Sequence, residues 1–589
     1  VKTILHLLQA RARAAIKLAC AEELSVDLEL LEPEIVHVAD PKFGHYQCNN
    51  ALKLGKALKK NPREVAQKII SFFELNQNSG QPFIQKIEIA GPGFINLTLD
   101  ARFLSQEINA LLKDPRCGIE MPAHPERVIV EFSSPNVAKE LHVGHLRSTV
   151  IGDCLARIFE FLGYDVLRLN HVGDWGTQFG MLIAYMQETV PEVFSGQKEA
   201  DLPTLMRWYK DSRKRFDEDL EFKKRAQLQV VKLQAGDTAS LKAWEMICDI
   251  SRKGYQEIYD LLDVDIIERG ESFYNPYLAP LIKDLEHKGI ITVSEGAKCI
   301  FLEGFQNREG EALPMIVQKS DGGYNYDTTD MAALRQRVDV EKASRIIYVV
   351  DAGQSLHFQM VFKAAEKAGY FDPKKVQVDH VPFGVVLGSD GKKFKTRSGE
   401  TERLIDLLNE AIKRAKDILQ EKTPDLSEND LERMAKILGI DAIKYADLSC
   451  NRISDYVFSY ERMLKFEGNT AAFMLYAYVR TEGIKRKVHK NIQEVLSRAL
   501  VDVVHPSEVA LALHLCRFGE ALDAIVRDLL PNRLTEYLYE CAEKFNAFFR
   551  DCRVEGVPEE ESRLLLCEAT ARILKNGLSL LGLKVLEKM

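Results

Sequence analysis

The chain has 589 residues, too many for one hydrophobic core, and its 46% hydrophobic and 28% charged content is that of a soluble globular protein of several domains. A net charge of −8 excludes a polycation, so any contact with nucleic acid must rest on a local basic face. No apolar run reaches the roughly 20 residues that span a bilayer, and the 11 cysteines include no C-x-x-C pair, which fits a reducing, cytoplasmic setting and argues against a structural zinc site.

The first stretch, VKTILHLLQARARAAIKLACAEEL, reads as the amphipathic first helix of a domain and not as a signal peptide. Residues 1–112 finish in KIEIAGPGFINLTLD (Lys86–Asp100), which alternates like a strand pair about a Gly-Pro-Gly turn, so a small α+β domain is expected. A linker follows over Lys113–Arg127. The segment 125–400 then opens on a βαβ pattern. Val128–Phe132 is a short apolar strand, SSPNVAKELHVGH a loop, and Leu146, Val150, Cys154, Leu155, Ile158 and Leu162 recur at helical spacing before Gly163. Asp165–Asn170 is the second strand, and a parallel crossover of this kind implies a sheet covered by helices. From about 187 to 263 the chain is charged and helical, an insertion between the halves of the sheet. The α/β pattern is expected to resume with AKCIFL, GGYNYDTTD and the strand, loop and helix of Arg345–Tyr370. Residues 401–455 read as a helical stem and 456–589 as an all-α bundle.

Chemistry concentrates in two places. Lys139-Glu140-Leu141-His142-Val143-Gly144-His145 lies between strand and helix. Unsatisfied N–H groups at a helix start attract anions, Gly144 permits close approach of a nucleotide, and two imidazoles three residues apart can donate to phosphate oxygens. Such a site would stabilise charge on a transferring phosphoryl group. A capped helix with two surface histidines, or a partial metal site, are the plainer alternatives. The second place is GSDGKKFKTRSGE (Gly388–Glu400), a basic, glycine-rich loop that looks like KMSKS with one lysine missing.

VEFSSPNVAKELHVGHLRSTVIGD and LRLNHVGDWGTQFGMLIA resemble the arginyl-tRNA synthetases, and HVGH matches the HIGH signature of class I aminoacyl-tRNA synthetases. GESFYNP, GGYNYDTTD, YVVDAGQSLHFQ, FKTRSGE, KYADLS and EGNTAAFMLYAYVR carry the same likeness. The resemblance implies a Rossmann-type α/β catalytic domain, an N-terminal domain that reads the tRNA D-loop, and a helical anticodon-binding domain. It implies an arginine–tRNA ligase that uses ATP with Mg²⁺, activates L-arginine only with tRNA bound, and works as a monomer in the cytoplasm. A relative with another amino acid, or a non-catalytic tRNA-binding paralogue, are the competing readings. Intact His142, Gly144, His145 and Asp330 speak against the paralogue.

By the same resemblance, His142 and His145 are ATP-phosphate ligands, with His145 also near the arginine carboxylate. Ser134, Pro135 and Asn136 hold the arginine backbone groups, Glu131 pairs with its α-ammonium, and Tyr326, Asp330 and Gln354 line its pocket, with Glu271 a further acid. A guanidinium is a planar fork of N–H donors that prefers bidentate carboxylates, so acids of this kind are what arginine recognition demands. In the basic loop Lys393, Lys395 and Arg397 close over ATP, Thr396 stands where the second lysine would be, and Lys139 supplies the missing cation. For RNA, Tyr476, Tyr478 and Arg480, with Phe473 and the basic run through His489, offer stacking faces and charge. Met589 approaches the anticodon loop, and Tyr46, Gln47 and Asn49 are the candidates for the D-loop.

Overall fold

The computed structural model describes residues 2–21, 28–77, 80–395 and 402–587. At its centre five parallel strands lie side by side in the order Gln377–His380, Arg345–Tyr348, Arg127–Glu131, Asp165–Asn170, Ile267–Glu268. Residues Val128–Val130 and Arg345–Tyr348 are buried on both faces, which is why these strands read as unbroken apolar runs and not as alternation. Successive strands run outward from Arg127–Glu131 on one side, and the chain then crosses to the other side at Arg345–Tyr348. In a doubly wound sheet, ligands bind outside the carboxyl ends of the strands at such a reversal. Here that crevice lies between Ser133–Ser134 and Val349–Asp351.

The first strand stops because its successors leave extended geometry. Ser133, Ser134 and Ala138 all have left-handed backbones, with φ of 68°, 50° and 61°. Each costs on the order of 1–3 kcal/mol and persists only where neighbours hold it. Ser133 N–H donates to Ser148 Oγ at 2.9 Å, Ser134 N–H to Asn170 Oδ1 at 2.9 Å, and Ala138 N–H to Ser251 Oγ at 3.0 Å. Ser148 Oγ donates onward to the Val349 carbonyl at 2.7 Å, so one hydroxyl on the helix Val143–Phe161 ties both lips of the crevice together.

The insertion forms three helices, Leu202–Glu218, Leu220–Gln234 and Thr238–Leu262. The last of these props the loop from beneath. Besides Ser251, the Tyr255 hydroxyl donates to the Lys139 carbonyl at 2.9 Å and to that of Asn136, and the buried Tyr259 hydroxyl meets Ser133 Oγ at 2.7 Å. AKCIFL does not continue the parallel sheet, contrary to the sequence expectation. Ala297–Gln306 pairs antiparallel with Thr292–Ser294 and Ala312–Gln318 in a separate three-stranded sheet. A tight turn with φ of 49° at Glu295 and 80° at Gly296 folds the chain straight back, which suits a hairpin and not a crossover.

Residues 35–99 contain an antiparallel sheet in the order Ile35–His37, Tyr46–Cys48, Phe94–Leu99, Ile84–Ala90. After the basic loop, Leu404–Lys422 and Glu428–Leu448 pair with each other and lead into helices that include Ala471–Val488, Asn532–Asp551 and Glu560–Leu580. KYADLS lies at the end of Glu428–Leu448. Its Asp447 meets Arg147 of the HVGH helix at 3.3 Å, both side chains buried, and accepts from the Tyr456 hydroxyl at 2.8 Å. Tyr456 pairs with Val386, a few residues before the basic loop. No helix among the described residues is long and apolar enough to cross a membrane.

Candidate active site and RNA-facing surfaces

His142 is the N-cap of Val143–Phe161, and the two histidines close a capping box. Gly144 N–H donates to His142 Nδ1 at 2.9 Å, and His142 N–H donates to His145 Nδ1 at 3.1 Å. With each Nδ1 accepting, each ring must carry its proton on Nε2. Burial lowers the pKa of both rings, and Lys139 depresses both further; His145 falls to about 3, helped by His142. Both are therefore neutral donors at pH 7. Gly144 is required because a Cβ there would lie 2.6 Å from His142 Cε1.

The free amides expected at this helix start are in fact used. Val143 N–H donates to the Glu402 carbonyl at 3.3 Å, Gly144 N–H to His142 Nδ1, and His145 N–H to the His142 carbonyl at 2.9 Å. An anion here is met by imidazole N–H groups and lysines and not by bare backbone. A cavity of about 800 Å³ joins Ser134, His142, Gly144 and His145 to Lys393 and Lys395 across it. Its floor is the crevice between the two strand ends, with Val349 and Asp351 on one side. Thr396, Arg397 and Met589 lie outside the described residues. Lys139 is exposed, and its ammonium sits 5.9 Å from the centre of the Tyr209 ring, beside a second cavity of about 540 Å³ under the insertion. It is close enough to depress both histidines but does not line the cavity they share with Lys395.

A cluster of acids and histidines lies beside this cavity. Asp330 Oδ2 is 2.5 Å from His357 Nε2, and Oδ1 is 3.5 Å from His171 Nε2. His171 N–H in turn donates to Ser134 Oγ at 3.1 Å, which connects the strand-end loop to Asp330. Tyr326 is exposed and stands against His357, ring centres 4.9 Å apart. The Glu271 carboxyl is pushed up to about 8 by burial and by the charges of Asp330 and Asp174. Gln354 is exposed in the turn before His357, and Asn136 is exposed with Pro135 buried behind it. Glu131 needs correction. It is 3% exposed, and its Oε2 accepts from the buried Arg337 at 2.6 Å, so a substrate ammonium there would compete with an ion pair already made. His171, His357 and Arg337 were missed by sequence reasoning. The H in NHVGD, just past the second strand, was the one available signal.

Residues 107–460 match the catalytic domain of tRNA synthetases class I (R), 474–589 the DALR anticodon binding domain, and 6–99 the arginyl tRNA synthetase N terminal domain. The chain is 62% identical over 567 residues to the arginine–tRNA ligase of Protochlamydia amoebophila, covering 96% of each. The chain belongs to the class I arginyl-tRNA synthetases. It is also 50% identical over 587 residues to the arginine–tRNA ligase of Nostoc punctiforme, covering 99% of each. The arginyl-tRNA synthetase structure from Plasmodium falciparum superposes with a TM-score of 0.87 at 34% identity, over 100% of this chain and 99% of that one.

For an arginyl-tRNA synthetase the RNA-facing candidates divide sharply. Tyr476 is exposed, with the Arg480 guanidinium 5.1 Å from its ring centre and 5.7 Å from that of Phe549. These side chains line a cavity of about 600 Å³ with Arg486, Lys487 and Arg553. Tyr478 is 5% exposed and belongs to the core, because it lies two residues on and so faces the opposite side of the helix. Phe473 is half-buried against Tyr539. Of the basic run, Lys485 is tied to Glu482 and Glu568, and Lys490 to Glu560 and Glu561. Tyr46 is fully buried, and its hydroxyl donates to Glu520 of the bundle at 2.7 Å, so it joins two parts of this synthetase and is not open to a D-loop. Gln47 Nε2 donates to Asn96 Oδ1 at 2.7 Å, and Asn49 Oδ1 is buried.

Proposed function

We propose that each feature of this site serves one reaction, the joining of L-arginine to its tRNA at the expense of ATP. The arginine carboxylate attacks the α-phosphorus of ATP, giving arginyl-adenylate and pyrophosphate. The terminal ribose hydroxyl of tRNA then attacks the adenylate carbonyl, giving arginyl-tRNA and AMP. His142 and His145, neutral and with Nε2–H outward, donate to the phosphate oxygens as charge develops, and Lys393 and Lys395 face them across the cavity. Ser134 and Asn136 receive the substrate's backbone end. Asp330 and Glu271 receive its guanidinium, with Tyr326 as a wall. Mg²⁺ arrives with ATP, held by phosphate oxygens and water.

The observation that carries this reading is the link from the HVGH cavity through Ser134 and His171 to Asp330, whose charge also acts on Glu271. We further propose that Tyr476, Arg480 and Phe549 stack on anticodon-loop bases, that activation requires bound tRNA, and that the enzyme acts as a monomer in the cytoplasm. ATP–pyrophosphate exchange with each amino acid, with and without tRNA, tests the reading. Exchange with arginine alone among the amino acids, and only with tRNA, is expected. Exchange with lysine but not arginine would overturn it.

A further inference from the structure

His357 is exposed by only 10% and stands in the first turn of Ser355–Lys367. Two carboxylates three residues apart on one face of Tyr326–Asp339 reach it. His357 Nδ1 meets Asp327 Oδ1 at 2.8 Å, and Nε2 meets Asp330 Oδ2 at 2.5 Å. A neutral imidazole has one N–H and can donate to only one of them, whereas an imidazolium donates to both. An imidazolium therefore lets both acids stay ionised, whereas a neutral ring would need one of them to be protonated. We propose that His357 is a positioning residue of the guanidinium pocket: bridging Asp327 and Asp330, it keeps the Asp330 carboxylate ionised and fixed for the substrate while the pocket is empty.

The surroundings explain why such a residue is needed. Asp330 faces Glu271, His171, Arg337, Tyr326 and Tyr348. Arg337 is committed to Glu131, so it does not neutralise Asp330 by contact. Without His357, the buried Asp330 would have Asp327 beside it and no cation in contact, and it would take up a proton at a higher pH. A protonated acid no longer discriminates a guanidinium from its uncharged isostere. With His357 in place, one oxygen of Asp330 is held and the other is left on the His171 side, which fixes the carboxylate plane before arginine enters. The balance of charges agrees. Burial opposes the imidazolium, yet the hydrogen bonds and charges of Asp327 and Asp330 raise His357 to about 9, and Asp330 is lowered in spite of its burial. For a raised histidine the charge is complete below its ordinary pKa of 6.5 and is lost as pH rises through about 9.

This inference rests on the arginine pocket proposed above, and arginine-dependent pyrophosphate exchange on the full chain with tRNA separates the two. His357→Gln is expected to raise the KM for arginine at least about tenfold, the scale of one charge-assisted hydrogen bond, with kcat and the KM for ATP within about twofold. Between about pH 8 and 5.5 the KM of His357→Gln for arginine rises more steeply than that of the wild type, because only the variant's Asp330 takes up a proton in that range, whereas Glu271 titrates in both. An unchanged KM, or identical pH profiles, overturns the role of His357. Should His357→Gln lose its fold, Asp327→Asn serves instead: it removes one of the two anions, so the His357 imidazole signal in NMR titrates at a lower pH than in the wild type, and an unmoved titration overturns the proposal. If Asp330→Asn leaves the KM for arginine unchanged, the pocket itself has been misassigned and the inference falls with it.

Discussion

His145 Nδ1 accepts the backbone N–H of His142 at 3.1 Å, which leaves Nε2–H as the only donor of a ring whose pKa has fallen to about 3. The ring therefore works as a neutral hydrogen-bond donor. A histidine with a lowered pKa gains its proton only as pH falls toward that value, so adenylate formation should show no acid limb from His145 between pH 5.5 and 8. His145→Ala should cut the activation rate by about 10²–10³, the loss seen when one preorganised donor is removed. His145→Gln, whose amide N–H reaches near the Nε2 position, should retain more. Single-turnover adenylation across this pH range measures both.

Lys139 stands over Tyr209 and lines the cavity under the insertion. If its ammonium swings to the phosphates in place of the lysine that Thr396 lacks, Lys139→Ala should slow adenylate formation strongly while tRNA affinity barely changes. Near-normal activation would return that role to Lys395 or Arg397. Pyrophosphate exchange and filter binding of tRNA give the two numbers.

The buried pair of Arg147 and Asp447 joins the HVGH helix to Glu428–Leu448, the second helix after the basic loop. Removing one partner leaves an uncompensated buried charge, so Asp447→Ala should destabilise by roughly 3–5 kcal/mol. Replacing both by apolar side chains should recover much of that stability. Thermal denaturation of the single and double variants distinguishes a lost contact from a stranded charge.

Tyr476 and Tyr478 differ by two positions and by everything that matters for RNA. Tyr476→Ala should weaken tRNA binding by about 1–3 kcal/mol, the worth of one stacked base, with little change in Tm. Tyr478→Ala should instead lower stability by about 3 kcal/mol or more as a core aromatic is lost. Calorimetry and tRNA KM are expected to move in opposite variants.

Three of the five parallel strands, the HVGH helix and the helical insertion were legible because each is written in contiguous periodicity, whereas the edge strands Ile267–Glu268 and Gln377–His380 were not. Val128–Val130, Asp165–Asn170 and the spacing of Leu146 to Leu162 needed only neighbours in sequence. The antiparallel hairpin at Ala297 was misread because a short apolar run does not announce its partner. What the sequence could not carry was occupancy. Glu131 and Tyr46 have the right chemistry for a ligand, yet Arg337 and Glu520, distant in the chain, hold them already. Tyr476 and Tyr478 read alike as RNA candidates in the sequence, and only the packing of their helix assigns one to solvent and the other to the core. His357 was passed over because its significance depends on two acids from another helix.

The helix Thr238–Leu262 bears on any attempt to shorten this enzyme. Three residues with left-handed backbones sit in the loop between strand and HVGH helix, and Ser251, Tyr255 and Tyr259 reach up to hold it. A minimal catalytic domain with residues 202–262 replaced by a short linker would keep every strand of the parallel sheet that precedes and follows it. It would lose the scaffold under the one segment whose backbone cannot hold its own shape. Such a trimmed chain would keep Ser148 and Asn170 on the amides of Ser133 and Ser134 but release Asn136, Ala138 and Lys139, so the half of the loop that leads into HVGH would relax while the sheet stayed whole.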